Sequence, residues 1–199
     1  MRPAILCAAL LAAGPAQTQA QAQADGPLPA PARDVAVTYR ATGETEQEVR
    51  MAWLVAQGRF RLETPGGALL HDLRSRRTTI LMTEQRMYVE GSDEDRGPGI
   101  GLVPPGSKVA RLGADRIAGH DCTVWRIEPP KEKDGEEARA NEACVTADGV
   151  PLRVVEREGG EELGRTVATR LDYARQDPAQ FEVPPGYRPF DPQAAAPAR

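Results

Sequence analysis

The chain of 199 residues carries 29 acidic side chains against 25 lysines and arginines, which gives a net charge of −4 at pH 7. This length suits one domain with a hydrophobic core, and an acidic chain with interspersed charges excludes a typical nucleic-acid-binding protein. We therefore expect no nucleic-acid partner. The basic cluster Arg74, Arg76 and Arg77 is the local exception, and it favours a solvated turn between two strands over a phosphate site.

The first 24 residues have the layout of a cleavable secretory signal. Arg2 supplies the positive charge, an apolar run follows at 4–14, and small residues in an A-x-A pattern end at Ala20, Ala22 or Ala24. The run is too short to cross a bilayer, and no later stretch reaches about 20 apolar residues. We predict a signal peptide over 1–24, periplasmic localisation and no integral membrane segment. A buried N-terminal helix is the less favoured alternative.

The rest of the chain is dominated by a hydrophobic period of two, as in the segments DVAVTYRA and EVRMAWLV. This period indicates strands with one buried and one wet face, and turns such as Gly159-Gly160 separate them. We predict one mainly β domain over 34–190, a curved antiparallel sheet or half-open β-barrel of about ten strands with few short helices. Pro-rich composition predicts a flexible lead-in at 25–33 and a disordered tail at 191–199.

Two stretches interrupt this period, and both predict surface loops. Residues 91–106 are rich in glycine and proline, and residues 129–142 are highly charged and link two strands. Near the end, the sequence DPAQF at 177–181 predicts one helical turn, with Asp177 as its N-cap and Pro178 as its first helical residue.

Signal cleavage removes Cys7 and leaves two cysteines, Cys122 and Cys144. An even count in an exported chain favours one disulfide between them. If 121–128 pairs antiparallel with 139–146 in the register whose residue numbers sum to 266, the two cysteines lie directly opposite each other, within disulfide range. The register is an assumption, so this geometry shows that the disulfide is feasible.

The alternative is a reactive thiol at Cys122, beside His120 and Asp121. Adjacent residues on a strand point to opposite faces, so Asp121 is badly placed to orient the His120 ring as a catalytic base. The only other histidine is His71, and neither histidine shows zinc-ligand spacing. We predict no catalytic residue, no metal site and no cofactor.

The aromatic and large apolar positions predict either a filled core or an apolar ligand face, because both are built from the same residues. The candidate face consists of Met51, Trp53, Phe60, Leu62, Trp125, Ile127, Val167, Leu171 and Tyr173. Trp125 and Ile127 lie on the strand face opposite Cys122 and Val124. We expect the bulkier pair to face the interior, which would place the disulfide on the outer face.

Three motifs carry a resemblance to a known family. They are G-x-x-C at 119–122, C-x-x-x-D-G-x-P at 144–151 and F-x-x-P-x-G-Y at 181–187. Over 34–190 the chain resembles exported bacterial domains of unknown function in the LolA/LolB-like superfamily, the periplasmic lipoprotein carriers and their relatives. The resemblance implies a half-open antiparallel β-barrel, whose concave apolar face holds acyl chains under a helical lid in the carriers. The sequence shows no amphipathic pattern for such a lid.

These observations lead to three hypotheses about function. The first is a non-enzymatic periplasmic protein that binds a lipid, a lipoprotein acyl chain or another hydrophobic ligand on the concave face of the sheet. The second is a protein–protein interaction or sensor module of the cell envelope, with a filled core and no small ligand. The third is an enzyme built around Cys122, which requires a free thiol in the folded, oxidised protein.

Overall fold

The structure is a computed structural model that describes residues 26–92, 102–130 and 139–190. Within these ranges twelve strands form one sheet, where the sequence predicted about ten. Short 3-10 helices lie at Val55–Gln57 and Pro178–Phe181. The strands are β1 (Val35–Thr42), β2 (Gln47–Leu54), β3 (Arg59–Thr64), β4 (Gly67–Asp72), β5 (Arg77–Met82), β6 (Met87–Ser92), β7 (Lys108–Ile117), β8 (His120–Glu128), β9 (Arg139–Val145), β10 (Pro151–Glu158), β11 (Glu161–Asp172) and β12 (Arg188–Pro189).

The sheet is antiparallel except at one edge, and it is strongly curved. Its strand order is β12-β6-β5-β4-β3-β2-β1-β11-β10-β9-β8-β7, and the short β12 pairs with β6 in parallel. β7 contacts β11 although it lies four strands away, where a flat sheet would separate them by about 19 Å. An ion pair of 2.7 Å between Asp115 on β7 and Arg153 on β10 spans two intervening strands. The predicted class, a mainly β curved sheet that stays open, is confirmed.

Both faces of this sheet bury apolar side chains. On the concave face, residues of β8–β10 such as Cys122 and Leu152 share one core cluster with residues of β1–β3 such as Val37 and Phe60. Because these strands are far apart in the sheet order, only the inner side of a curl can bring them together. Segments without strands cover the other, convex face, where Phe181 packs with apolar residues of β1 and β2.

Two local features predicted from the sequence, a helical turn at 177–181 and a glycine turn at 159–160, are present in the structure. The Asp177 carboxylate accepts a 3.0 Å hydrogen bond from the Ala179 N–H and caps the 3-10 helix that begins at Pro178, so the predicted helical turn is present. Gly159 and Gly160 form the turn between β10 and β11 with φ of 59° and 96°, a region that favours glycine.

Several predicted segments fall outside the described residues. These are the signal peptide at 1–24, the tail at 191–199 and parts of both predicted loops. The second loop is shorter than predicted, because β9 already begins at Arg139. No helix in the described ranges has the length and hydropathy that crossing a bilayer requires.

Candidate functional site

A continuous line of apolar side chains crosses the concave face from β11 to β6. Each member is the direct cross-strand neighbour of the next, in the order Leu171, Val37, Met51, Leu62, Leu69, Ile80 and Val89. We call these seven residues the apolar row. Val37 is 1% exposed, whereas Ile80 is 38% exposed, so the row runs from the buried core to open surface. Its open end consists of Leu69, Ile80 and Val89.

The period of two in the sequence produces this row, because it sends the charged neighbours to the convex face. Arg50 and Arg61 flank Met51 and Leu62 along β2 and β3 and point the other way. There the Arg50 guanidinium lies 3.4 Å from the Glu63 carboxylate, and Arg61 donates a 2.8 Å hydrogen bond to the same carboxylate. The charged side chains of β2 and β3 therefore lie on the convex side, and the concave side of these two strands is apolar.

Next to the row, the concave face is filled. Trp53 and Phe60 are 9% and 3% exposed, and their ring centroids lie 5.1 Å apart. The buried Tyr39 hydroxyl donates a 2.8 Å hydrogen bond to the carbonyl of Pro151, and burial raises the pKa of Tyr39 above its ordinary value. The structure therefore places Trp53 and Phe60 of the predicted ligand face inside a packed core, whereas Met51, Leu62 and Leu171 lie on the apolar row.

The two cysteines lie in this same core. The Sγ atoms of Cys122 and Cys144 are 2.12 Å apart, a disulfide distance, and Cys144 is fully buried. The expected position on the outer face is wrong, because both sulfurs belong to the concave cluster. The assumed register is also wrong by two residues: Val124, not Cys122, lies opposite Cys144, so the disulfide joins diagonal neighbours.

The remaining predicted ligand residues do not join the apolar row. Ile127 is fully buried on the convex face, where Trp125, Leu102 and Val103 pack with it, so the expectation that this pair faces the enclosed side is wrong. Val167 is half-buried and pairs with Arg40 and Arg153 across its neighbouring strands. A strand pattern separates two faces, but it does not say which face is concave.

A polar cluster that the sequence did not predict ties the lead-in to the turn between β9 and β10. The Asp148 carboxylate accepts hydrogen bonds from Arg33 at 2.8 Å, Tyr173 at 2.9 Å and Thr146 at 2.6 Å. The Arg33 guanidinium carbon also lies 3.7 Å from the centroid of the Tyr173 ring. We call Arg33, Thr146, Asp148 and Tyr173 the latch.

The latch perturbs the titration of its own members. Partial burial acts to raise the pKa of Asp148, but the hydrogen bonds from Thr146, Arg33 and Tyr173 outweigh it and lower that pKa below its ordinary value. Burial raises the pKa of Tyr173, and its hydrogen bond to Asp148 adds to the effect. The carboxylate is therefore held in its charged form, which keeps Arg33 bound.

Motif residues surround the latch. Gly149 has a φ of +88°, and a Cβ at this position would lie 2.5 Å from the carbonyl oxygen of Ala30, so the lead-in passes directly over the turn. The ring centroids of His120 and Tyr173 lie 6.0 Å apart, edge to face. The sequence marked Asp148 and Gly149 as motif residues, but it did not predict their contacts with Arg33 and Ala30, which lie more than 100 residues away in the chain.

Outside the core, the described residues line shallow clefts. One of about 330 Å³ lies between β3–β5 and the C-terminal segment, and Arg59, Asp72 and Glu182 contribute to its walls. Among the described residues, no group of three or more histidine, cysteine, aspartate or glutamate side chains is arranged to hold a metal ion.

Comparison with known proteins identifies relatives by fold. An uncharacterized conserved protein from Thermus thermophilus superposes with a TM-score of 0.58 and 16% identity, over 79% of this chain and 90% of that chain. MucB from Pseudomonas aeruginosa, in its complex with MucA, superposes with a TM-score of 0.53 and 19% identity, over 75% of this chain. The match covers 55% of the MucB chain, so this protein spans about half of it.

A putative outer membrane lipoprotein-sorting protein domain from Vibrio parahaemolyticus matches with a TM-score of 0.41 and 10% identity, over 71% of this chain and 85% of that chain. This likeness is too distant to support an inference about function. Over the matched residues this chain therefore shares its fold with the Thermus thermophilus protein and with MucB. No protein-family model and no curated protein matches the sequence.

Proposed function

We propose that this is a non-enzymatic protein of the bacterial periplasm that binds a lipid acyl chain, or a ligand of similar chemistry, along the apolar row. The observation that carries the proposal is the half-exposed course of the row from Met51 to Val89, which includes the exposed Ile80. Concave apolar surface that is left open to solvent is the usual setting of a hydrophobic ligand. The secretory signal predicted over 1–24 supports the periplasmic location.

The dimensions of the row suit such a ligand. Between Met51 on β2 and Val89 on β6 the row crosses five strands, a span of about 19 Å at the usual strand spacing. A lipid acyl chain occupies half of a hydrocarbon core that is about 30 Å thick. A ligand lying across the strands would therefore contact Leu62, Leu69 and Ile80 in turn. The buried Val37, which follows Met51 in the row, would stop it from passing deeper.

A fluorescent fatty-acid probe tests the proposal. We expect saturable binding to the wild-type protein and at least about tenfold weaker binding to Ile80→Asp, since a charge would be desolvated beneath the ligand. Leu163→Asp is the matched control, because Leu163 is an exposed leucine on β11 outside the row. Absence of saturable binding, or equal weakening by both substitutions, would contradict the proposal.

A protein partner is the second candidate, and one observation favours it. MucB, which shares the fold at a TM-score of 0.53, forms a complex with MucA. The packed core around Trp53 and Phe60 also agrees with a module that needs no internal ligand. Crosslinking in the native host followed by mass spectrometry tests this candidate: a reproducible envelope partner is expected, and its absence in repeated experiments would count against it.

A further inference from the structure

The two edge strands of the sheet, β12 and β7, differ in length. At one edge β12 pairs with β6, and the Phe190 N–H donates a 2.8 Å hydrogen bond to the Tyr88 carbonyl. At the other edge lies β7, Lys108–Ile117, which is ten residues long and pairs with β8 alone. Most of its residues are exposed. Among the described residues no further strand pairs with its outer side, so this edge is open to an added strand. One backbone donor, the Arg116 N–H, is already bonded to the Asp115 carboxylate at 2.7 Å.

The charge of β7 is opposite to that of the whole chain. Three basic side chains, Lys108, Arg111 and Arg116, stand against the single acidic Asp115. Asp115 is bound by Arg153 at 2.7 Å, and Arg116 is bound by Asp121 at 2.8 Å. In the described part of the protein no ion pair engages Lys108 or Arg111. A basic edge therefore borders a protein whose net charge is −4.

Apolar side chains accompany these charges. Leu112 is 51% exposed at the bulge between Arg111 and Gly113. Arg111 lies directly opposite the half-buried Trp125 in the ladder, so both side chains share the convex face. An occupant of this edge would thus meet an arginine beside an aromatic ring, with a leucine next to them.

We propose that β7 is a docking edge for an extended, acidic polypeptide segment that adds to the sheet as a thirteenth strand. Backbone hydrogen bonds to β7 supply the affinity, and carboxylates beside Arg111 and Lys108 supply the specificity. A second copy of this chain fits the edge poorly, because pairing β7 with another β7 would bring like charges together and align two bulges. The proposal does not depend on a ligand at the apolar row.

Three labelled ten-residue peptides test the docking edge by fluorescence anisotropy. One alternates valine and glutamate, the second alternates valine and lysine, and the third is the acidic peptide with every backbone nitrogen methylated. We expect the acidic peptide to bind at least about tenfold more tightly than the lysine peptide at low salt, with an advantage that falls as salt rises. Methylation should abolish binding, because it removes the donors that a ladder needs.

Matched variants locate the site. Arg111→Glu should weaken binding of the acidic peptide about fivefold, since one attraction becomes a repulsion. Arg188→Glu makes the same charge change at the opposite edge and should leave the affinity within about twofold. Ile80→Asp disrupts the apolar row, which lies away from β7, and should not change peptide binding. The peptide experiment can therefore succeed or fail independently of the proposal that a lipid binds along the apolar row.

The proposal would be overturned by no binding of the acidic peptide up to about 1 mM, by equal binding of the acidic and lysine peptides, or by an equal effect of Arg111→Glu and Arg188→Glu. Retained affinity of the methylated peptide would likewise show that binding does not use the strand edge. Circular dichroism of each variant establishes that the sheet is intact before binding is compared.

Discussion

The Tyr173 hydroxyl donates a 2.9 Å hydrogen bond to the Asp148 carboxylate and so connects β11 with the turn between β9 and β10. Arg33 completes the arrangement, because it is bonded to this carboxylate and stacked on the Tyr173 ring. The latch thereby fastens the residues before β1 to the far half of the sheet. The contact between Arg33 and Asp148 thus joins two segments that are 115 residues apart in the chain.

Asp148→Asn tests the latch through pH dependence. The folded protein lowers the pKa of Asp148 below its ordinary value of 3.8, so this group stabilises the fold above that value and the contribution is lost as pH falls through the folded pKa. We expect the variant to lose about 1–3 kcal/mol of unfolding free energy at pH 7, with a gap that narrows below about pH 4. Urea denaturation at several pH values measures it; a gap that stays constant down to about pH 2 would contradict the ionic role.

Gly149→Ala tests the passage of the lead-in over the turn. A Cβ would lie 2.5 Å from the Ala30 carbonyl oxygen, whereas the same atom at Gly160 would meet no described atom within 4 Å. Both glycines have positive φ, +88° and +96°, so Gly160→Ala controls for backbone strain. We expect Gly149→Ala to cost about 1 kcal/mol or more beyond the control in thermal or urea unfolding. Equal losses would show that the lead-in does not press on the turn.

Removing the disulfide should destabilise the domain. Cys122→Ala combined with Cys144→Ala is expected to cost about 2–4 kcal/mol of unfolding free energy, because the cross-link restricts the unfolded chain and both sulfurs are packed in the core. Thiol counting on the denatured, signal-free wild-type protein without reductant should find no free thiol. Finding two free thiols would contradict the disulfide and reopen the hypothesis of a reactive Cys122.

The filled core and the open end of the row should respond differently to truncation. Phe60→Ala removes a ring that is 3% exposed and packed on Trp53, and we expect a loss of about 3–5 kcal/mol. Ile80→Ala removes a side chain that is 38% exposed, and we expect a loss of about 1 kcal/mol or less. Urea unfolding compares the two variants. Similar losses of unfolding free energy in the two variants would mean that the apolar row is buried along its whole length and has no end open to solvent.

The alternation of apolar residues predicted the strands and the fold class, but it could not determine the register. The true pairing of Val124 with Cys144 differs from the assumed one by two residues, and a slip of two leaves every side chain on its original face. The hydrophobic pattern is therefore the same in both registers. Only the turn and the loop between β8 and β9 distinguish them, and the sequence of a charged loop does not specify its geometry.

The pattern also could not separate core from candidate site. Trp53, Leu62 and Ile127 all fit an apolar strand face, yet Trp53 lies in the concave core, Leu62 on the apolar row and Ile127 under a convex segment. Because both faces of this sheet are partly covered, burial depends on contacts between distant segments. For the same reason the latch was not predicted: Arg33 and Asp148 are 115 residues apart and show no periodicity that links them.

Amide chemical-shift mapping during titration with laurate tests the apolar row most directly. The account predicts saturable shifts that are largest at Leu69, Ile80 and Val89, with small changes at the buried Trp53 and at Leu112 on the distant edge. Shifts confined to the convex face, or no saturable shift at any of these three residues, would contradict the assignment of the row as a binding surface.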